Sequence, residues 1–256
     1  DRGPANVTNS RVVIKSTNPW RPNAGDGESA LYISDLENGE LTYEKKHELN
    51  IGAALGFFEN RINIEADWYK RDNYDLIGPV TTQGIGGQVT KLGNVASMES
   101  SGVELTLSTV NINKKNFKWT TDFIYSHAEN RVTELENQQR VIDLVAGTGF
   151  ALKGYPVRSV FSIPYRGLNS EGIPTFLDQT GDVTTTGIYF QERDNVDFLE
   201  YSGTADPTDF GSFGNTFSFY GFKFNIFFTY SFGNVVRMDP VFKSSYSDLT
   251  AMTKEF

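Results

Sequence analysis

The sequence predicts an all-β protein, more specifically part of a large antiparallel transmembrane β-barrel, from three observations. Apolar and polar residues alternate over long segments, the connections inside hairpins are short, and the connections between hairpins are long. Strands of roughly 8–11 residues approach the length that a tilted strand needs to cross a bilayer core, whereas soluble strands average about 5–6 residues. Short turns combined with long loops are typical of outer-membrane barrels.

The composition agrees with such a barrel although the chain is polar on average. Of its 256 residues 38% are hydrophobic and 14% are aromatic, and no run of 18 or more apolar residues occurs. Barrel strands expose apolar side chains on one face only, so they lack the continuous apolar run of a transmembrane helix. The net charge of −9 argues against nucleic acid as a partner, and the absence of cysteine excludes disulfides.

Three hairpins are predicted, near residues 47–71, 101–126 and 211–233, and they share one design. A two-residue turn at Tyr220–Gly221 would place Phe219 opposite Phe222 on the same face of the third hairpin. The segments between the hairpins, near 72–100 and 127–210, are predicted to be long extracellular loops.

The alternation assigns the strand residues to two faces. We predict that the aromatic and aliphatic series faces lipid: Phe117, Trp119, Phe123, Phe217, Phe219, Phe222, Phe224, Ile226, Phe228, Tyr230 and Phe232. We predict that the opposite series faces the barrel lumen: Glu65, Asp67, Glu104, Lys118 and Asp122. The alternative interpretation of this series is the solvated outer face of a soluble sheet. Phe227 is an exception, because it interrupts the polar series.

No catalytic, cofactor or metal site is predicted, and we do not expect an enzyme. His47 and His127 lie in different segments, and neither is near a nucleophile motif. The acidic pairs lie in turn-like sequence, where aspartate is favoured because it bonds to the local backbone. The glycine-rich segment at 84–88 lacks the Lys-Ser/Thr of a phosphate-binding loop.

Four blocks of the sequence carry a resemblance to a known family. They are "LTYEKKHELNIGAALGFFENRINIEADWYKRDNYDLI" (41–77), "NVASMESSGVELTL" (94–107), "GYPVRSVFSIPYRGLNSEGIPTF" (154–176) and "GSFGNTFSFYGFKFNIFFTYSFGNVVRMDPVF" (211–242). In order and spacing they resemble the SusC/RagA class of TonB-dependent outer-membrane transporters of Bacteroidota. Together the blocks are specific, whereas none of them would suffice alone.

The resemblance implies a segment of a bacterial outer-membrane transporter for TonB-energised uptake of a nutrient such as an oligosaccharide or a peptide. It implies outer-membrane lipid and a SusD-like surface lipoprotein as partners, and no cofactor. The family has a barrel of about 22 strands, an N-terminal plug and a TonB box. Neither plug nor box is found here, so residues 1–256 are expected to be an internal piece of the barrel domain, from its C-terminal half, that connects to TonB through the missing plug region.

Two other function classes stay open at this point. One is a passive porin-type barrel, which would share the strand pattern but would need no energy input. The other is a soluble β-sandwich carbohydrate-binding module, in which the aromatic faces of two sheets would pack together.

Overall fold

The computed structural model describes residues 11–17, 29–84, 90–147 and 149–238, and the regular structure in these ranges is almost entirely β. The strands are β1 (Val13–Thr17), β2 (Ala30–Asp35), β3 (Lys45–Phe57), β4 (Ile62–Thr81), β5 (Thr90–Lys114), β6 (Phe117–Leu135), β7 (Ser159–Ser162), β8 (Tyr165–Leu168), β9 (Pro174–Leu177), β10 (Val183–Thr184), β11 (Glu200–Thr204), β12 (Asp209–Phe219) and β13 (Phe222–Phe232). A short helix, α1 (Val141–Val145), lies between β6 and β7. Positions 85–88 of the glycine-rich segment and 239–242 of the last resembling block lie outside the described residues.

Six long strands form one antiparallel sheet in the order β3-β4-β5-β6-β12-β13. The register pairs Phe57 with Ile62 and Phe219 with Phe222, so these hairpin turns lie at the same end of the sheet, where the strands reverse direction. The prediction of an all-β, antiparallel architecture is confirmed. In the part of the chain that the structure describes, no helix is long and apolar enough to span a membrane.

The turn at Tyr220–Gly221 is also confirmed, with φ angles of 46° and 90° at its two residues. A type I′ turn requires positive φ at both central positions, and its twist matches that of the flanking strands. The β5–β6 turn is similarly short, because β5 continues to Lys114 through an irregularity between Val110 and Ile112. The Arg61 guanidinium donates to the Val110 carbonyl oxygen over 3.0 Å, which supports the backbone at this irregularity.

The strands run further than the sequence predicts, and the predicted loops near 72–100 and 127–210 are partly strand. The β4–β5 ladder continues through the pair Gly78–Gly93, and β6 ends only at Leu135. A ladder is built by backbone groups, so it continues where side chains no longer alternate between apolar and polar. The glycine-containing sequence around this pair is therefore strand, although its side-chain pattern predicts a loop.

Residues 136–208 form a compact unit, which we call the loop module. Val141 and Leu144 of α1 are fully buried against Phe161 of β7 and against Leu199. Partly buried residues complete this core: Val145, Leu152, Tyr155, Ile163, Ile188, Val196 and Phe198. The segment that was expected to be a long loop thus has its own hydrophobic core and its own small sheets, β7–β11 and β8-β9-β10.

Acidic residues of the loop module stabilise its local structure. Asp143 accepts hydrogen bonds from the Arg140 guanidinium at 2.7 and 2.9 Å, and these bonds lower the pKa of the Asp143 carboxyl. Asp178 accepts a bond from the Thr180 hydroxyl at 2.7 Å and others from backbone amides, which lower its pKa as well. Asp178 therefore has the turn-forming role that its sequence context indicates.

The loop module attaches to the edge of β6 that β12 leaves free. The Gly154 amide donates to the Val132 carbonyl, and the Val132 amide donates to the Tyr155 carbonyl, at 2.8 and 2.9 Å. After β13 the chain returns to the module, where Arg237 donates to the Phe161 carbonyl over 2.7 Å. The module is therefore fixed to the sheet on two sides.

A substitution at Gly211 is expected to weaken the pairing of β6 with β12. A Cβ atom there would overlap the Ile124 carbonyl oxygen and would come within 2.6 Å of the Tyr230 hydroxyl. Because the carbonyl belongs to a neighbouring backbone, Gly211→Ala should lower the free energy of unfolding by about 1–3 kcal/mol. Hydrogen exchange of β6 and β12 amides in the full-length protein measures this effect. At Gly39 a Cβ atom meets nothing within 4 Å, so Gly39→Ala should leave exchange unchanged.

Candidate functional site

The register of the six-stranded sheet sorts its side chains into two faces. The apolar face is defined by a row with one residue from each strand: Leu55, Ile64, Leu107, Phe123, Phe213 and Phe228. The polar face is defined by the row Gly52, Asp67, Glu104, Ser126, Phe210 and Ser231. Every residue predicted to face lipid shares the apolar face, and every residue predicted to face the lumen shares the polar face.

Large aromatic side chains on the apolar face are open to the surroundings. Phe222, Phe224 and Phe228 are 81%, 62% and 61% exposed. A contiguous apolar surface of this kind marks a site that contacts a membrane or another protein. Within the described ranges no second sheet covers this face, which counts against a β-sandwich with a shared aromatic core.

The height of the apolar face suits a bilayer core. From Phe222 to Phe232 the strand makes ten residue steps, which at roughly 3.4 Å per step correspond to about 34 Å along the strand. A tilt of about 40° reduces this length to about 26 Å across a membrane, close to the apolar band of about 25 Å on outer-membrane barrels.

The apolar face stops at the end of the sheet opposite the hairpin turns. Its last apolar row contains Trp68 and Val103. The next two rows on the same face are ionic and contain Lys70, Ser101 and Glu129, then Asp72, Glu99 and Arg131. Successive rows on one face are about 7 Å apart along the strand. The surface therefore changes from aromatic to charged over the distance expected at a lipid–water boundary.

Polar groups at this boundary pair with one another. Oδ1 of Asp209 accepts a hydrogen bond from the Tyr125 hydroxyl at 2.6 Å and lies 2.9 Å from Nδ1 of His127. The Thr208 hydroxyl donates to the other carboxylate oxygen over 2.7 Å. His127 thus serves to join β6 and β12. Within the described ranges no group of three or more His, Asp or Glu side chains is placed to hold a metal ion.

A second polar cluster lies inside the apolar face. The Asn215 side-chain oxygen accepts bonds from the Trp119 indole N–H at 2.9 Å and from the Thr121 hydroxyl at 2.7 Å. Unpaired polar groups are costly in an apolar environment, so this mutual pairing makes the cluster compatible with lipid. The sequence does not reveal it, because the partners of Asn215 are more than 90 residues away in the chain.

The polar face carries three carboxylates that form no ion pair with a described cation. Asp67 and Glu104 are direct cross-strand neighbours, and Glu65 lies one step along the same face. Among the described residues none of these three carboxylates has a salt-bridge partner. Asp122 accepts a hydrogen bond from the Ser108 hydroxyl at 2.8 Å, and Lys118 lies at the edge near the turns.

Aromatic rings on the polar face cover glycines. A Cβ atom on Gly102 would come within 2.5 Å of the Tyr69 hydroxyl, and one on Gly214 would come within 3.0 Å of the Phe227 ring. The Arg71 guanidinium stacks on the Tyr69 ring at 4.1 Å. Phe227, the exception in the polar series, thus has a structural reason for its position, because its ring lies over Gly214.

No family model matches the chain. TonB-dependent receptors P3 and P39 of Formosa agariphila are 25% and 27% identical to it over 81% and 80% of its length. The chain spans 22% and 23% of the length of these two relatives. TonB-dependent receptor SusC of Bacteroides thetaiotaomicron is 31% identical over 102 residues, which are 38% of this chain and 10% of SusC.

This chain is similar in fold to part of two solved structures. The RagAB peptide transporter superposes with a TM-score of 0.69 at 25% identity, over 88% of this chain and 24% of the matched chain. The RagAB peptide importer in its "closed-closed" state gives the same TM-score at 24% identity, over 88% and 25% of the two chains, and supports the fold alone.

Proposed function

Since this chain belongs to the SusC/RagA class of TonB-dependent outer-membrane transporters, we propose that it forms part of the wall of a barrel that imports a nutrient. The observation that carries the proposal is the two-faced sheet, with one aromatic face of membrane height and one polar face. In this arrangement the apolar face contacts lipid and the polar face lines the lumen. The hairpin turns then lie on the periplasmic side and the loop module on the extracellular side.

The proposed energy source is TonB, which would act through a plug inside the barrel. The polar face offers the plug carboxylates without salt-bridge partners in the described sheet, at Glu65, Asp67 and Glu104. Phe227, which is 59% exposed on the same face, is a further candidate for a plug contact. This surface can bind and guide a moving plug without any covalent chemistry.

The proposed cargo is an oligosaccharide or a peptide, and the proposed partner is a SusD-like lipoprotein at the extracellular mouth. The name of one structural neighbour, the RagAB peptide transporter, favours a peptide, whereas the likeness to SusC is compatible with either class. The loop module would face both cargo and lipoprotein, because it lies at the end of the sheet opposite the hairpin turns.

Uptake by cells that express the full-length protein tests this proposal. Fluorescent oligopeptides and fluorescent oligosaccharides are supplied separately, with and without a protonophore, and in cells with and without TonB. We expect one class to accumulate, and we expect this accumulation to fall to the level of cells lacking the protein when TonB or the proton gradient is removed. Accumulation that persists under both treatments would indicate a passive porin, and no accumulation of either class would contradict import of these nutrients.

A further inference from the structure

We propose that a cleft at the extracellular boundary of the apolar face binds the phosphorylated sugar headgroup of an outer-leaflet glycolipid. The cleft has a volume of about 790 Å³. The charged and aromatic side chains of its lining are Trp68, Lys70, Glu99, Glu129 and Arg131 from the sheet, and Tyr155, Tyr201 and Asp206 from the loop module. The proposal rests on the proposed function, because it requires that the apolar face contacts lipid.

The position of the cleft makes it accessible from the membrane. Trp68 belongs to the last apolar row, Lys70 and Glu129 lie in the next row, and Arg131 lies one row further on the same face. A lipid whose headgroup occupies the cleft can therefore lay its acyl chains along the apolar face below Trp68. A ligand in the barrel lumen would lie on the other side of the sheet.

The cations of the cleft have capacity for a phosphate. Arg131 donates from Nε to the Gly154 carbonyl over 3.0 Å, and no described carboxylate lies within 4.0 Å of it. Lys70 forms a loose pair with Glu99, which also lines the cleft, at 3.8 Å. The lining carboxylate of Asp206 is already paired with Arg158, at 2.6 Å. A guanidinium with free N–H groups and an ammonium group that line the same cleft can both donate to a phosphate.

The other groups of the cleft suit a sugar. The Glu129 side chain is 70% exposed, its carboxylate lies 3.4 Å from Nε2 of His127, and it can accept hydrogen bonds from sugar hydroxyl groups. Trp68 and Tyr201 are 40% and 39% exposed, and their rings offer apolar surfaces to a pyranose ring. A cleft of this volume falls in the usual range of about 300–1,000 Å³ for small-molecule sites. The two aromatic surfaces therefore favour a sugar phosphate over a glycerol phosphate, which has no ring for them to contact.

Native mass spectrometry of the full-length protein in detergent micelles tests the proposal. The probes are a bis-phosphorylated, hexa-acylated lipid A, dioleoyl phosphatidylglycerol and soluble glucosamine 1-phosphate. We expect lipid A to be retained in preference to both other probes. The double variant Lys70→Ala/Arg131→Ala should weaken lipid A binding about tenfold or more, because charge-assisted bonds to the phosphate are lost. Tyr201→Leu should weaken it without a change of charge.

The matched control is Lys118→Ala/Lys223→Ala, which removes two positive charges from the polar face. It should retain lipid A like the unmodified protein. Equal losses in both double variants, equal retention of phosphatidylglycerol, or equally tight binding of glucosamine 1-phosphate would overturn the glycolipid assignment. Uptake is measured separately, so lipid binding without uptake would contradict only the proposed function, and uptake without lipid binding would contradict only the cleft.

Discussion

Phe228→Arg is expected to impair membrane assembly of the full-length protein, at a cost of about 2–4 kcal/mol if the side chain lies near the bilayer midplane. Phe228 lies near the middle of β13, in the central row of the apolar face, where it pairs with Phe213. Arginine at this position would bring a charge into hydrocarbon. Phe224→Arg, on the same face but nearer the turn, should have a smaller or equal effect.

The adjacent residue supplies a matched control. Phe227 and Phe228 are 59% and 61% exposed in the sheet, so exposure alone predicts the same tolerance for both. Phe227 lies on the polar face, however, and Phe227→Arg should assemble with only the loss of its packing over Gly214. Lys118→Ser and Asp122→Ser, on the same polar face, should also assemble normally.

The folded fraction in lipid vesicles, followed by urea unfolding, measures both effects. Equal free energies of unfolding for Phe227→Arg and Phe228→Arg would contradict the assignment of the apolar face to lipid. Failure of Phe227→Arg alone would reverse the two faces.

The two faces could be predicted because their signal is local. Period-two alternation from Phe222 to Phe232 assigns each side chain to a face once the backbone is extended, and the Tyr220–Gly221 turn then determines the register with β12. The same logic fails where the alternation ends. Around the Gly78–Gly93 pair the β4–β5 ladder continues, but apolar and polar residues no longer alternate. The glycines there predict a turn or loop instead of a strand.

The cleft could not be predicted, because its parts come from distant segments. Trp68, Arg131 and Tyr201 belong to three different elements, and their proximity follows from a register and a module attachment that no short motif encodes. The hydrogen bonds that Asn215 accepts from Trp119 and Thr121 are unpredictable for the same reason, because they form only when β12 lies beside β6. The alternation along one strand thus predicts which face a side chain lies on. A site that combines side chains from several strands can be predicted only when the pairing register of those strands is known.

Phe161→Ala is expected to unfold the loop module while the barrel strands stay paired. The Phe161 side chain is 2% exposed and packs in the core with Val141 and Leu144. Removing a buried phenylalanine costs about 3–5 kcal/mol, a large share of what a unit of this size has available. Hydrogen exchange in the full-length protein should increase across residues 141–205 and stay unchanged in β3 and β4.

Phe190→Ala is the matched control, because Phe190 lies in the same module but is 43% exposed. Exchange that is equal in the two variants would show that the buried cluster does not hold the module together. Phe161→Ala also tests whether the cleft depends on the module core, since the ring centroids of Phe161 and Tyr201 lie 5.6 Å apart. Phe161→Ala should therefore weaken lipid A binding in a barrel that still assembles, because Tyr201 belongs to the module that unfolds.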